Sequence, residues 1–218
     1  MKKNYIENID CMKGMINIPD KSIDLILADL PYGTTQNKWD SIIPLNDFIT
    51  VSLKGKEKKL SFEEFLLYSF KNNLFENFSD ITIFWNKNYQ KGLWTEYERI
   101  IKDNGAIVLT SAQPFTSNLI SSNKKIFKYS MVWNKKQVTG FLNSKKQPLR
   151  QHEDICVFYK KQPTYNPQMT EGKAYSIKRK HSTNNYGKQT ENETKNDGKR
   201  YPTTIINHIP QVRVKNGH

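Results

Sequence analysis

Apolar runs and segments of helical periodicity alternate along the first part of the chain. Four apolar runs have the length of buried strands and are bounded by turn-forming residues: 23–28, 106–110, 129–133 and 154–159. Four other segments carry apolar residues at helical spacing: 12–18, 61–78, 93–101 and 114–120. Helices placed between apolar strands predict an α/β fold with a largely parallel sheet.

The predicted helices carry recognisable start and stop signals. Ser61 followed by Glu64 is typical of a capping box at the start of a helix. Pro19 and Asp20 are expected to close the first helix, and the Asp-Asn-Gly sequence at 103–105 is expected to close the helix at 93–101. Each helix is therefore bounded by signals of its own.

The chain changes character after Tyr159. The segment 160–216 is rich in Lys, Asn, Thr, Gly and Pro and contains few apolar residues, which predicts a loop-rich excursion. The chain has 34 Lys and Arg against 21 acidic residues, and 160–218 alone holds 12 basic and 4 acidic residues. A net charge of +13 favours a polyanionic partner, first of all nucleic acid. The alternative is a basic protein without such a partner.

Several classes of protein are disfavoured by composition. No run of about 18 apolar residues occurs, so no membrane span is predicted. The N-terminus lacks the apolar stretch of a secretion signal, and a reducing cytoplasm is the expected compartment. Cys11 and Cys156 match neither a zinc pattern nor a disulfide framework, so no metal site is expected.

The residues with the clearest chemical meaning follow the first apolar run. Ligands bind beyond the carboxyl ends of parallel strands, where Asp29 and Ser111 are expected to lie. One reaction that an acid at such a position can assist is methylation of an exocyclic base amine. This amine is a poor nucleophile because its lone pair is delocalised into the ring, and hydrogen-bond acceptors on both of its hydrogens turn the lone pair toward a methyl donor. The Asp29 carboxylate and the Leu30 carbonyl could supply these acceptors.

Two further residues complete this motif. Pro31 would stiffen the turn, and Tyr32 offers a ring that could stack on a base rotated out of the duplex. Taken alone, the four residues 29–32 are more typical of an ordinary turn after a strand.

With its surroundings, the motif resembles the DNA amino-methyltransferases, which methylate adenine N6 or cytosine N4. Residues 33–40 (GTTQNKWD) resemble the phage and restriction-associated adenine branch, and 105–115 (GAIVLTSAQPF) resemble the next core strand. Three further segments match: 145–160 (KKQPLRQHEDICVFYK) before an antiparallel strand, and 165–173 (YNPQMTEGK) with 200–202 (RYP) in the target-reading region. The stretch 47–89 lies outside the resemblance and is expected to be an insertion.

The resemblance implies a Rossmann-like, S-adenosylmethionine-dependent methyltransferase fold, with a mostly parallel sheet and an antiparallel strand. It implies a catalytic half at 1–159, a target-recognition region at 160–218 and double-stranded DNA as partner. The motif order is that of the permuted class, in which the cofactor-binding motifs come last. One of these motifs is a glycine-rich turn that follows a strand, and the 218 residues contain no such turn. We therefore expect an incomplete fold that binds the cofactor weakly and does not methylate DNA alone. A second polypeptide could carry the missing motifs.

The resemblance also assigns roles to individual residues. Asp10 and Cys11, ahead of the first helix, are expected to approach the adenine ring of the cofactor, together with Asp29. For Asp10, a solvated loop acid is the alternative. Leu30 stands where many relatives carry proline. The expected DNA contacts are basic residues near the motif and in the 160–218 region: Lys135, Lys145, Lys146, Arg150, Lys178, Arg179, Lys180 and Arg200.

Adenine N6 is the expected target, because relatives that act on cytosine N4 usually carry serine where Asp29 stands. The sequence leaves two alternatives open. One is a truncated, catalytically inactive remnant that binds DNA only, and the other is a nucleic-acid-binding protein unrelated to methylation.

Overall fold

The computed structural model describes residues 6–53, 56–179 and 192–207. The helices are α1 Cys11–Met15, α2 Phe62–Lys71, α3 Phe78–Asn88, α4 Leu93–Ile100 and α5 Phe115–Ser122, with a short 3-10 helix at Phe141–Asn143. The strands are β1 Ile23–Asp29, β2 Ile49–Leu53, β3 Lys56–Leu60, β4 Ile101–Ser111, β5 Phe127–Thr139, β6 Arg150–Phe158, β7 Thr170–Glu171, β8 Tyr175–Arg179, β9 Asn192–Asn196, β10 Lys199–Arg200 and β11 Ile205–Asn207. No helix of these ranges is long and apolar enough to cross a membrane.

A five-stranded sheet in the order β1-β4-β6-β5-β11 forms the centre of the molecule. β1 pairs parallel to β4, and β11 pairs parallel to β5. β6 lies between β4 and β5 and is antiparallel to both. Four strands therefore run in one direction and β6 runs in the other, which confirms the predicted α/β fold with a mostly parallel sheet and an antiparallel strand.

The main core lies between this sheet and helices α4 and α5. Buried residues alternate with more exposed ones along β4, so that Ile107 and Leu109 point into the core. Phe158 of β6 is fully buried, and its ring lies 4.8 Å from that of Trp94 and 5.4 Å from that of Phe127. The four predicted strands are thus confirmed, and β5 and β6 extend beyond the runs that predicted them.

The stretch 47–89, which the sequence predicts to be an insertion, builds a small core of its own. The β2–β3 hairpin and helices α2 and α3 enclose a separate cluster of buried residues: Ile49, Leu60, Phe65, Ile81 and Trp85. The capping box is confirmed, because the Glu64 amide donates to Ser61 Oγ (3.3 Å) and the Ser61 amide donates to Glu64 Oε2 (3.0 Å).

The prediction of one continuous helix at 61–78 is wrong. Helix α2 ends at Lys71, and Asn73 adopts a left-handed backbone conformation with φ 48°. A new helix then begins after Asn77, whose side chain accepts a hydrogen bond from the Asp80 amide at 3.0 Å. Asparagine tolerates the left-handed region and also caps helices, so the polar residues after Lys71 end one helix and start the next.

Two other predicted boundaries differ from the structure. The first helix ends at Met15, before Pro19 and Asp20. The turn expected at 103–105 lies inside β4, where the pairing with β1 shifts from Ile23–Ile101 to Leu25–Ala106. A Cβ on Gly105 would lie 2.9 Å from the Asp24 carbonyl oxygen, so this irregularity requires glycine.

The polar region after Tyr159 contains short strands that the sequence did not predict. β7 pairs with β10 and β8 pairs with β9, both antiparallel. β11 adds to the central sheet beside β5, and Ile205 pairs with Val132. This part of the chain therefore returns to the sheet at the edge opposite β1.

Candidate active site

The site forms where β1 and β4 end side by side. Asp29 is the last residue of β1 and pairs with Thr110 of β4. Ser111, which the sequence placed at this end of the strand, points the other way: it is fully buried, and its hydroxyl donates to Thr116 Oγ1 at 3.0 Å, because the Thr116 proton is donated to Asp154 Oδ2 at 2.7 Å. Successive residues of a strand face opposite sides of the sheet, so Thr110 rather than Ser111 faces Asp29.

Two hydroxyl groups converge on one oxygen of the Asp29 carboxylate. Thr110 Oγ1 donates to Asp29 Oδ1, and the Tyr32 hydroxyl lies 2.8 Å from both Asp29 Oδ1 and Thr110 Oγ1. Each hydroxyl has one proton, so Thr110 donates to Asp29 while Tyr32 donates to one of its two neighbours. Within the described residues no donor reaches Asp29 Oδ2. One carboxylate oxygen is therefore held in place and the other can accept a hydrogen bond.

Tyr32 is half-buried and is fixed at both its ring and its hydroxyl. The ring stacks on that of Phe115, with centroids 5.6 Å apart and an angle of 25° between the planes. Burial, and in the same direction the neighbouring Asp29 carboxylate, raise the pKa of Tyr32, so the hydroxyl keeps its proton. The sequence assigned Tyr32 a role through its ring alone and missed the hydroxyl's contact with Asp29.

The backbone between Asp29 and Tyr32 presents a second acceptor. The Leu30 side chain is 7% exposed and packs into the main core, which accounts for an apolar residue at this position. Among the described residues, no donor engages the Leu30 carbonyl oxygen. No hydrogen bond within the described residues therefore occupies this oxygen, which follows directly after Asp29 in the chain.

The loop that follows the motif is tied to a single buried carboxylate. Asp40 accepts hydrogen bonds from the amides of Gly33 (2.9 Å), Thr34 (2.9 Å) and Thr35 (2.7 Å). Burial raises the pKa of Asp40, but these hydrogen bonds outweigh that effect and hold the pKa below its usual value. Gly33 adopts φ +67°, a conformation that favours glycine. The sequence did not single out Asp40, although a glycine and an acid bounding a short polar segment were a usable signal.

Of the three residues expected to approach the cofactor, Asp10 and Cys11 line a cleft of about 310 Å³, and Asp29 is not part of its lining. Asp10 caps helix α1 by accepting from the Lys13 amide at 3.2 Å, and Cys11 is exposed. Neighbouring protein atoms partly desolvate the thiol, and this effect, followed by the nearby Asp10 carboxylate, raises the pKa of Cys11 although the residue as a whole is exposed. The rest of the lining comes from the first turn of α1, the loop before β2, strand β3 and the segment between α3 and α4: Met12, Ser41, Ile42, Ile43, Pro44, Phe48, Lys59, Gln90 and Lys91.

Arg99 of α4 holds the end of helix α1 in position. Its guanidinium donates to the carbonyl oxygens of Met15 (2.7 Å) and Ile18 (2.8 Å) and to Glu96 Oε2 (2.6 Å). Glu96 is 3% exposed; burial raises its pKa, but the hydrogen bonds from Arg99 and Lys91 outweigh burial and lower it. The charged pair therefore fixes α1, and with it one wall of the cleft.

Four of the eight expected DNA contacts lie beyond the strand ends that carry Asp29. β5 and β6 continue past the end of β4, and this extension carries Lys135 and Arg150, with Lys145 and Lys146 between them. Arg150 Nη2 donates to the Gln113 carbonyl oxygen at 3.4 Å. The structure therefore places these four cations beyond the carboxyl ends of β1 and β4, where the motif also lies.

The eight cations differ in how free they are. Lys135 forms an ion pair with Glu153, and this carboxylate neutralises the charge of the lysine. Lys178 is exposed on β8, whereas Arg200 on β10 lies 4.7 Å from the centre of the Tyr175 ring. The Arg179 side chain and all of Lys180 lie outside the described residues.

Comparison with known families identifies the class of protein. The family model of the N6/N4 DNA methylases matches residues 23–218, so the chain belongs to this family. The family is one of S-adenosylmethionine-dependent methyltransferases, which confirms the resemblance seen in the sequence.

Solved structures of DNA methyltransferases are also similar to the chain. One is the M1.HpyAVI–SAM complex, with a TM-score of 0.39 and 12% identity over 78% of this chain and 60% of that one. Another is the cytosine-N4-specific PvuII DNA methyltransferase, with a TM-score of 0.37 and 12% identity over 68% of this chain and 46% of that one. The chain thus spans 60% and 46% of the lengths of these two proteins. No curated protein matches the sequence.

Proposed function

We propose that this protein transfers a methyl group from S-adenosylmethionine to the exocyclic N6 amine of adenine in double-stranded DNA. The observation that carries the proposal is the pair of acceptors at the end of β1, Asp29 Oδ2 and the Leu30 carbonyl. Family membership supports DNA methylation. The choice of adenine over cytosine rests on the aspartate at position 29, where cytosine-N4 enzymes usually carry serine.

The two acceptors act on the lone pair of the target nitrogen. When Asp29 Oδ2 and the Leu30 carbonyl each accept one amine hydrogen, the nitrogen lone pair is drawn out of conjugation with the ring. The negative charge of Asp29 also stabilises the positive charge that develops on nitrogen as it is methylated. Thr110 and Tyr32 keep the carboxylate oriented through Oδ1, so little reorganisation is needed during the reaction.

The cleft beside α1 is the proposed site for the cofactor. Its volume lies near the lower end of the usual range for small-molecule pockets, about 300–1,000 Å³. It offers a carboxylate from Asp10, an aromatic ring from Phe48 and an amine from Lys59, which lies 4.9 Å from the centre of that ring, while Lys91 is paired with Glu96 at 3.0 Å. This set fits the hydroxyl, ring and carboxylate groups of S-adenosylmethionine, which supplies an electrophilic methyl group when bound. Cys11 would contribute apolar surface next to Asp10.

DNA is proposed to lie across the carboxyl ends of β1 and β4, where Asp29 lies. Lys145, Lys146 and Arg150 are exposed there and would contact phosphates, while Lys135 would remain paired with Glu153. The region 160–218 is proposed to contribute target recognition, through Lys178 and Arg200 among others.

The nature of the methylated product tests this proposal. The protein is incubated with duplex DNA and S-adenosylmethionine labelled in its methyl group, and the DNA is digested to nucleosides and separated. Because the chain by itself is expected to bind the cofactor weakly, the assay is run with and without a polypeptide that carries the glycine-rich cofactor motifs, and label is expected in N6-methyladenine when that polypeptide is present. Label in N4-methylcytosine would overturn the adenine assignment. Retained DNA binding without any labelled nucleoside would favour the alternative of a chain that binds DNA without catalysis.

Thr110→Val is expected to slow methyl transfer by roughly 10- to 100-fold, because a hydrogen bond to a charged group contributes about 1.5–3 kcal/mol. Valine keeps the shape of threonine and removes only the hydroxyl that orients Asp29. Thr110→Ser, which keeps the hydroxyl, serves as the matched control and is expected to retain most of the activity. The measurement is the single-turnover rate at saturating cofactor. Equal rates for the valine and serine variants would show that the hydroxyl does not orient Asp29.

A further inference from the structure

Trp39 is exposed at the end of the loop that follows the active-site motif. Its side chain is 73% exposed, whereas Trp85 and Trp94 are buried at 8% and 4% and Trp133 is half-buried. Tryptophan gains more from burial than other side chains because of its large apolar surface. An indole left in solvent beside an active site is therefore a candidate contact surface.

The backbone that carries Trp39 is held in place. Its neighbour Asp40 is 6% exposed and accepts three amide hydrogen bonds from 33–35, the residues that follow Tyr32. The Asp40 amide also donates to the Asn37 carbonyl oxygen at 3.0 Å. The loop therefore closes on itself, and the indole projects from an ordered anchor rather than from a loose segment.

The chemistry at the motif defines what such an indole can do. An amine inside a duplex is out of reach of Asp29, so the adenine must rotate out, and this leaves a gap in the base stack. A planar, apolar ring can fill that gap and stack on the neighbouring bases. The adjacent Lys38 is exposed and adds a positive charge suited to the phosphates.

We propose that Trp39 is a positioning residue that enters the DNA duplex at the target site and stacks on the bases left when adenine rotates out. The proposal rests on the proposed function for its choice of partner. It adds a contact with the duplex to the contacts that Asp29 and Leu30 make with the target base.

Affinity for a damaged duplex tests this role without requiring turnover. Binding is measured by fluorescence anisotropy to an intact duplex and to the same duplex with one abasic site, where the gap is already open. The unaltered protein is expected to bind the abasic duplex about 10-fold more tightly, because no base must be unstacked before the indole enters. Trp39→Ala is expected to lose this preference, and Trp39→Phe is expected to keep part of it. Phe70→Ala, which alters an aromatic side chain 53% exposed on α2, is the matched control and should behave like the unaltered protein.

Intrinsic fluorescence supplies a second readout. Tryptophan emission of the unaltered protein is expected to be quenched when the abasic duplex binds, and Trp39→Phe is expected to lose most of the quenching. The proposal is overturned if Trp39→Ala keeps the full preference for the abasic duplex, or if the unaltered protein shows no such preference. Either result is expected if the indole instead contacts a protein partner. A preference that depends on Trp39 in a protein that methylates no adenine would support the indole's role and refute the proposed reaction. If Trp39→Ala leaves adenine methylation of the intact duplex unchanged, the proposed reaction is supported and the role of the indole is refuted.

Discussion

Replacement of Asp29 by alanine is expected to lower methyl transfer by roughly two to three orders of magnitude, the usual cost of removing one preorganised electrostatic partner. Asp29 Oδ2 is one of the two proposed acceptors for the amine hydrogens, and its charge stabilises the developing positive charge on nitrogen. Asp29→Asn is expected to be almost as inactive, because an amide keeps the shape but lacks the charge. Affinity for duplex DNA should be retained, because the phosphate contacts lie on other residues.

The measurement is the single-turnover rate of methyl transfer, with DNA affinity determined in parallel. Asp24→Ala is the matched control: this aspartate lies on the same strand, is 80% exposed and pairs with Lys102 at 2.7 Å. Asp24 is far from the carboxyl end of β1, so its loss should leave the rate close to that of the unaltered protein. A rate near wild type in Asp29→Ala would refute the assignment of Asp29 as an acceptor.

Phe158→Ala is expected to lower the free energy of unfolding by about 3–5 kcal/mol, the usual range for removing a buried phenylalanine ring. Phe158 is fully buried, and its ring contacts those of Trp94 and Phe127. The substitution leaves a cavity where α4 meets β5 and β6. For a chain of this size, the loss corresponds to a decrease in Tm of roughly 10 °C.

Urea denaturation followed by fluorescence or circular dichroism measures this effect. Phe70→Ala, which removes the same ring from an exposed position on α2, is expected to change stability by less than about 1 kcal/mol. Similar losses for the two variants would mean that Phe158 is not in a packed core. Phe158 pairs with Ile107, on the side of the sheet away from Asp29, so the folded fraction of the variant should keep its affinity for DNA.

Local sequence patterns specified the elements that hold the motif. The apolar run at 23–28 predicted β1, and the run at 106–110 predicted β4, because a buried strand leaves a short apolar signature in the chain. The Ser61–Glu64 capping box also formed as predicted, since its two hydrogen bonds join residues three positions apart. The motif 29–32 with its flanking segments predicted the family, which the comparison then confirmed.

Local patterns gave wrong results where two signals competed within a few residues. The segment 61–78 kept an apolar helical periodicity, yet Asn73 and Asn77 divided it into α2 and α3. The split allows both helices to pack on the hairpin through Phe65, Ile81 and Trp85, a small core whose formation the helical period alone could not reveal. The sequence did not predict β11, because three residues in a polar region carry no strand pattern of their own and form a strand only by pairing with β5.

The sequence by itself determined the family, the α/β alternation and the position of the motif 29–32 at the end of the first strand, because these depend on composition and on spacing along a few residues. Only the tertiary structure decided which atoms surround Asp29. Thr110 faces Asp29 from 81 positions away because β4 pairs with β1 in that register, and a shift of one residue would bring buried Ser111 there instead. The hydroxyl of Tyr32, the amides bound by Asp40 and the exposed position of Trp39 were likewise decided by tertiary structure. Such contacts depend on strand register and on loop closure, which the period of the hydrophobic pattern does not specify.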